Sequence, residues 1–134
     1  MPTRKIIRQG DVILRELTGE EIEDVMRSAR PVSLRIAELR QSGRLGENEN
    51  AIQLHENVVV TPDSVVIRGE TGHSHIISGV KTYLTWHGIV VQVEKPVTIK
   101  HDQHPEIEIP KGVYTVTHVQ DFALRRHHMF RFID

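Results

Sequence analysis

The 134 residues predict a mainly β fold, a small barrel or sandwich forming a single domain over residues 1–134, with a short helical insertion at about residues 18–43. Three observations carry that expectation. β-Branched runs recur at short intervals between residue 50 and about residue 122. Turn-forming clusters separate them: Thr61-Pro62-Asp63-Ser64, His87-Gly88, Lys95-Pro96 and Pro110-Lys111-Gly112. Only one early stretch instead shows apolar residues at helical spacing. The length fits one domain and suffices to bury a core without disulfide or metal staples.

Residues 8–17, RQGDVILREL, read as a first strand, with Gly10-Asp11 as a turn signal and Val12 and Leu14 alternating with Ile13 and Arg15. Thr18-Gly19-Glu20-Glu21 is a capping-box pattern, Thr at the N-cap and Glu three residues later. Ile22, Val25, Met26 and Ala29 follow at helical spacing, Pro31 interrupts, and Leu34, Ile36, Ala37 and Leu39 resume the pattern. QSGRLG ends it, so the insertion reads as two short helices or one kinked helix. It either packs over one end of the β-structure or serves as a partner-binding or oligomerising face.

GENEN, residues 46–50, is a polar loop. NVVVTPDSVVIRGE then predicts a hairpin around Thr-Pro-Asp-Ser, KTYLTWHGIVVQVEKPVTIK two or three strands, and IEIPKGVYTVTHVQDF a short strand, a turn and a final strand. Trp86 precedes the His87-Gly88 turn, where it either lines a pocket or packs in the core or at its edge. The closing ALRRHHMFRFID reads as a strand or a docked tail.

Composition narrows the chemistry. The chain is 38% hydrophobic and 26% charged, with a formal charge of −1, so no overall electrostatic pull toward nucleic acid or an anionic membrane exists. A local basic stretch, Arg125, Arg126, His127, His128 and Arg131 interleaved with Phe130 and Phe132, has the residue types of a base-stacking track, but reads more simply as a terminal strand with solvated arginines. Cysteine is absent, which removes disulfides, thiolate metal sites and cysteine nucleophiles. The N-terminus lacks the apolar core of a signal peptide, and no run approaches the ~20 apolar residues of a membrane helix. The expectation is a soluble cytoplasmic protein without a membrane partner.

The histidines supply the candidate site. His73 and His75 stand one residue apart, which on a strand places both imidazoles on one face. His101 and His104 form a second pair, on a turn ended by Pro105. If neighbouring hairpin ends bring the pairs together, neutral imidazoles at ~2.0–2.1 Å would hold a divalent ion. Zinc is the default, with nickel, copper, iron or manganese also accepting nitrogen ligands. Asp102, inside the second pair, is a ligand, an acceptor for an imidazole N–H or a general base; Glu106 is the other candidate base; Glu70 and His118 lie close in sequence or on the last strand. A closed four-histidine site would be structural, whereas three ligands and a water would support metal-assisted hydrolysis. The competing reading is a non-enzymatic interaction protein whose histidines fix loops and whose helical insertion contacts a partner or a second copy. In that case an apolar face along Ile22, Val25, Met26 and Leu34 should be exposed.

RQGDVIL, GETGHSH, HDQHPEIEIPKGVYTV and HVQDF together resemble a family of small uncharacterised proteins from bacteria and their phages. Members show an RQGD-led strand, GE-x-TGH-x-H, then H-x-x-H before an I-x-LP-x-G-x-Y turn, then a Q-x-E-Y-like ending. The resemblance covers most of the chain outside the helical insertion. It departs at Val119-Gln120-Asp121-Phe122, where the acidic–aromatic pair is altered. It implies the motif boundaries and the four histidines, not a reaction, and a phage or bacterial setting in the host cytoplasm or a particle. The chain is also partly similar to cupins, β-barrels that hold a metal with H-x-H, a following Glu and a later His after P-x-G. Here Gly79 and Val80 stand where the Glu falls, and Thr115 where the His falls. That similarity implies architecture only. No nucleophile elbow, P-loop or dinucleotide fingerprint is present, and Ser74 should face away from the histidines.

Overall fold

A computed structural model of the protein describes residues 5–69 and 72–119. Its elements run β1 (Ile6–Gln9), β2 (Val12–Glu16), α1 (Gly19–Met26), β3 (Arg30–Pro31), α2 (Val32–Gln41), β4 (Ile52–His55), β5 (Val58–Thr61), β6 (Ser64–Arg68), β7 (Ser74–Ser78), β8 (Lys81–Thr85), β9 (Gly88–Val93), β10 (Val97–Lys100), β11 (Ile107–Ile109) and β12 (Gly112–His118). They form two antiparallel six-stranded sheets, ordered β1-β2-β12-β9-β8-β3 and β11-β10-β7-β6-β5-β4. Among the described residues no hydrogen-bonded ladder joins the sheets, so of the two expected architectures the sandwich forms and the closed barrel does not.

The predicted hairpins are present because their sequences alternate. Along β5, β6 and β7 every second residue is buried, giving Val58 and Val60, Val65 and Ile67, His75 and Ile77 to the space between the sheets. Leu14, Val12 and Val116 answer from the first sheet, and Ile99 and Ile109 from the second. Each fully buried Val, Leu or Ile contributes about 1.5–3 kcal/mol of transfer free energy. Polar residues of this inward row, Gln9, His75 and His118, lie at one end of the sandwich.

The first strand expected over residues 8–17 is instead a hairpin. Ile6–Gln9 pairs with Val12–Glu16, and Gly10-Asp11 makes the turn between them, with Gly10 at φ +58°. The reason is the same Gly-Asp pair that marks a turn: a glycine at positive φ reverses the chain at little cost.

The helical insertion is two helices. Thr18 caps α1 with the expected capping box, its side chain accepting from the Glu21 N–H while the Glu21 side chain accepts from the Thr18 N–H. Between the helices, Arg30–Pro31 adds a short edge strand to β8. Proline suits an edge, where its missing N–H faces no partner strand. The buried face of α2 is Val32, Ile36 and Leu39; Leu34 and Ala37, expected in the apolar row, face solvent, with Leu34 53% exposed. Val32 at the helix start sets that row, one turn before Ile36. Val25 is buried and Ile22 and Met26 pack against its cluster, so the expected exposed face reduces to Leu34. Trp86 sits in the β8–β9 turn, its backbone N–H donating to Ser28 Oγ. The basic stretch after residue 119, and Glu70, lie outside the described residues. Among the described residues no helix is long and apolar enough to cross a membrane.

Candidate metal centre

Strand register brings the two histidine pairs together. β7 and β10 pair antiparallel with Lys100 opposite Ile76. One step further along both chains stands His101 opposite His75. Their ring centroids are 4.3 Å apart, His101 and His104 4.5 Å, and His73 and His101 6.0 Å. His104 lies nearly parallel to His75 at 6.0 Å. His73 stands just before β7 rather than on it. Hence it does not share the inward face strictly: its side chain is 35% exposed, against 2% for His75 and 3% for the side chain of His101. The cluster thus opens to solvent on the His73 and His104 side.

Hydrogen bonds assign the ring protons. Gln9 Nε2 donates to Ile99 O at 3.2 Å and Pro105 O at 2.9 Å, which turns Gln9 Oε1 toward His75 Nδ1 at 2.8 Å. An amide oxygen only accepts, so His75 Nδ1 carries a proton. His75 Nε2 stands 3.1 Å from Asp11 Oδ1, and Asp11 Oδ2 accepts from His118 Nε2 at 2.6 Å. His73 Nδ1 donates to Asp102 Oδ2 at 2.6 Å, leaving Nε2 as the lone-pair nitrogen. His101 Nδ1 accepts from the Gln103 N–H at 3.0 Å, so its proton sits on Nε2. Among the described residues no three His, Asp or Glu side chains stand ready at ligand geometry around one point.

Three groups of this corner titrate away from their ordinary values. Burial, then the charge of His101, pushes His75 down, with Asp11 pulling the other way. The hydrogen bond from His73 holds Asp102 down. Burial raises Asp11, but the hydrogen bond and charge of His118 more than offset it, and its carboxyl ends below the usual range. In each case the unfolded chain binds the proton more tightly, so the stabilisation is complete above the unfolded value and lost on acidification. The protein is therefore expected to lose thermal stability as pH falls below about 6.5, through His75, and further below about 3.9, through Asp11 and Asp102. Unfolding temperatures at half-unit pH steps check this; a flat profile between neutrality and pH 5 would contradict a buried neutral His75.

Sequence reasoning placed His73, His75, His101 and His104 in one site, and the structure brings all four together. It pairs Asp102 with His73, and leaves Glu106 exposed in a shallow depression with Ser74, Ile76, Lys100, His101 and Asp102. Ser74 faces away from His75, as alternation requires. The residues missed are Gln9 and Asp11, while His118 enters through Asp11. Their signal is the RQGD stretch, which in the sequence marks a strand start and a turn at Gly10-Asp11 but no site. Gly10 completes that corner: a Cβ there would stand 3.0 Å from His104 Nε2 and 3.3 Å from His75 Cε1.

A two-sheet β-domain with a histidine-rich polar corner where the sheets meet is the class that fold and site define. The chain belongs to the family described as a domain of unknown function, DUF8820, whose model matches residues 8–119. Comparison with curated proteins and with solved structures finds no match. The match spans both sheets and every residue of the corner named above.

Proposed function

We propose that this chain binds one divalent transition-metal ion at the histidine corner, zinc by default, with nickel, iron(II) or manganese as further candidates. The carrying observation is the gathering of His73 and His75 with His101 and His104, at ring-centroid separations of 4.3 to 6.0 Å. Two imidazoles bound to one tetrahedral ion at ~2.0–2.1 Å have centroids about 5 Å apart. Reaching that geometry requires rings to turn and give up hydrogen bonds worth about 1 kcal/mol each. Structural zinc returns roughly 10–16 kcal/mol in small domains, so the exchange favours binding.

The proposed setting is an accessory protein of bacterial or phage origin working in the cytoplasm. The solvent-open side by His73 and His104 leaves room for a water on the ion, and metal-assisted hydrolysis is the reaction class that fits. Glu106 is the proposed base. The hydrogen bond from His73 lowers the proton affinity of Asp102, and Asp102 orients that ring. A second reading, a protein that dimerises or binds a partner through α2, rests on exposed Leu34.

Elemental analysis of protein purified without chelator or affinity tag tests the proposal beside the His73→Ala/His75→Ala variant. One equivalent of metal per chain, lost in the variant, is expected. At a hundredfold excess over Kd the ion should add about 2.7 kcal/mol of stability. Protein without metal, and without thermal stabilisation by zinc, nickel, manganese or iron(II), would sink the reading in favour of the interaction protein.

A further inference from the structure

We infer that Asp11 is itself a ligand of the ion, sharing it with His75 and His104, and that His118 positions Asp11; this rests on the proposed metal-binding function. The geometry points there from three sides. Ile99 O and Pro105 O fix the Gln9 amide, and the amide fixes the proton of His75 on Nδ1. With that proton on Nδ1, Nε2 is the ring nitrogen turned toward Asp11 Oδ1, 3.1 Å away. The two atoms stand close to the ~3.3 Å that separates donors sharing one tetrahedral ion at ~2.0–2.1 Å. An ion at that point would take both atoms in place of the contact they make with each other.

The second side is the carboxylate. Asp11 Oδ2 takes the His118 Nε2 proton at 2.6 Å, which leaves Oδ1 to bind. The Asp11 carbonyl also accepts from the Val119 N–H at 3.0 Å, anchoring the turn to the end of β12. Ligand carboxylates are commonly held by such bonds. The third side is His104. Its Nε2 reaches within 3.0 Å of where a Gly10 Cβ would stand, beside His75 Cε1 at 3.3 Å from the same point. His101, by contrast, spends its Nδ1 lone pair on the Gln103 N–H. The ligand set becomes two imidazoles and a carboxylate with a solvent-facing side, a donor set that suits zinc, iron(II) or manganese.

Zinc-loaded full-length protein tests this by competition titration and zinc X-ray absorption. Asp11→Asn is expected to weaken zinc at least ~100-fold, His118→Gln about 10-fold, and His101→Gln by no more than about threefold. Absorption spectra should fit fewer than four imidazoles in the wild type, and the same number in His118→Gln, since a positioning residue leaves the ligand count alone. Wild-type affinity in Asp11→Asn, or four imidazoles in the wild type, would overturn the assignment while the metal-binding function stood. If Asp11→Asn does not fold, the wild-type spectrum decides alone. Absence of zinc binding in the wild type would remove both.

Discussion

Replacing Gln9 with leucine is expected to destabilise the protein by about 3 kcal/mol and to lower its thermal midpoint by about 10 °C. Leucine keeps the apolar bulk at this buried position but returns none of the three hydrogen bonds. Ile99 O and His75 Nδ1 are left without their partner inside the protein, at about 1–3 kcal/mol for each stranded group. Pro105 O lies nearer the surface, where water replaces the lost donor, so the total stays below the full sum. Because Gln9 belongs to one sheet and its acceptors adjoin the other, the loss also loosens the join between the layers. Denaturant titration of both proteins measures it. A change under about 1 kcal/mol would mean that the amide does not hold His75 in place.

Gly10→Val is expected to cost about 2–3 kcal/mol and to abolish the close seating of His104. At φ +58° a β-branched residue is strained before any contact is considered. Its Cβ would also press on His104 Nε2 at 3.0 Å and His75 Cε1 at 3.3 Å. His104 is exposed and swings away, whereas His75 is held by Gln9 and Asp11. Gly10→Ala separates the two effects, since it carries the same first contact with a smaller backbone penalty of about 1–2 kcal/mol. Thermal unfolding of both variants is the check: a valine variant as stable as wild type would refute the tight corner.

The β-structure was legible because it is written locally. Val58–Val60 and Val65–Ile67 alternate around a turn sequence, and both strands appear where that pattern places them. The capping box at Thr18 and Glu21 is likewise a four-residue signal. The buried face of α2 was not legible, since Val32 and Leu34 are equally apolar and only packing against the sheets chooses between them. The four histidines could be picked out by type and spacing. Their meeting depends on the β7–β10 register, which no local rule fixes. Gln9, Asp11 and His118 illustrate the harder limit. A Gln beside a Gly-Asp turn and a His on a final strand are each unremarkable in sequence; their roles come from contacts across 66 and 107 positions.

The placement of β12 sets the order in which such a corner can be completed during synthesis. β12 lies between β2 and β9, pairing with both, yet it is made after either of them. A nascent chain that ends before residue 112 has a first sheet missing an interior strand, and Asp11 without His118 and Val119 to hold it. Pairings of such sequence separation make folding slow, because loop closure comes before any contact repays it. The corner is thus a late product of biosynthesis, assembled from the earliest and latest described segments of the chain, and a truncated chain carries its histidines without the arrangement that gives them a purpose.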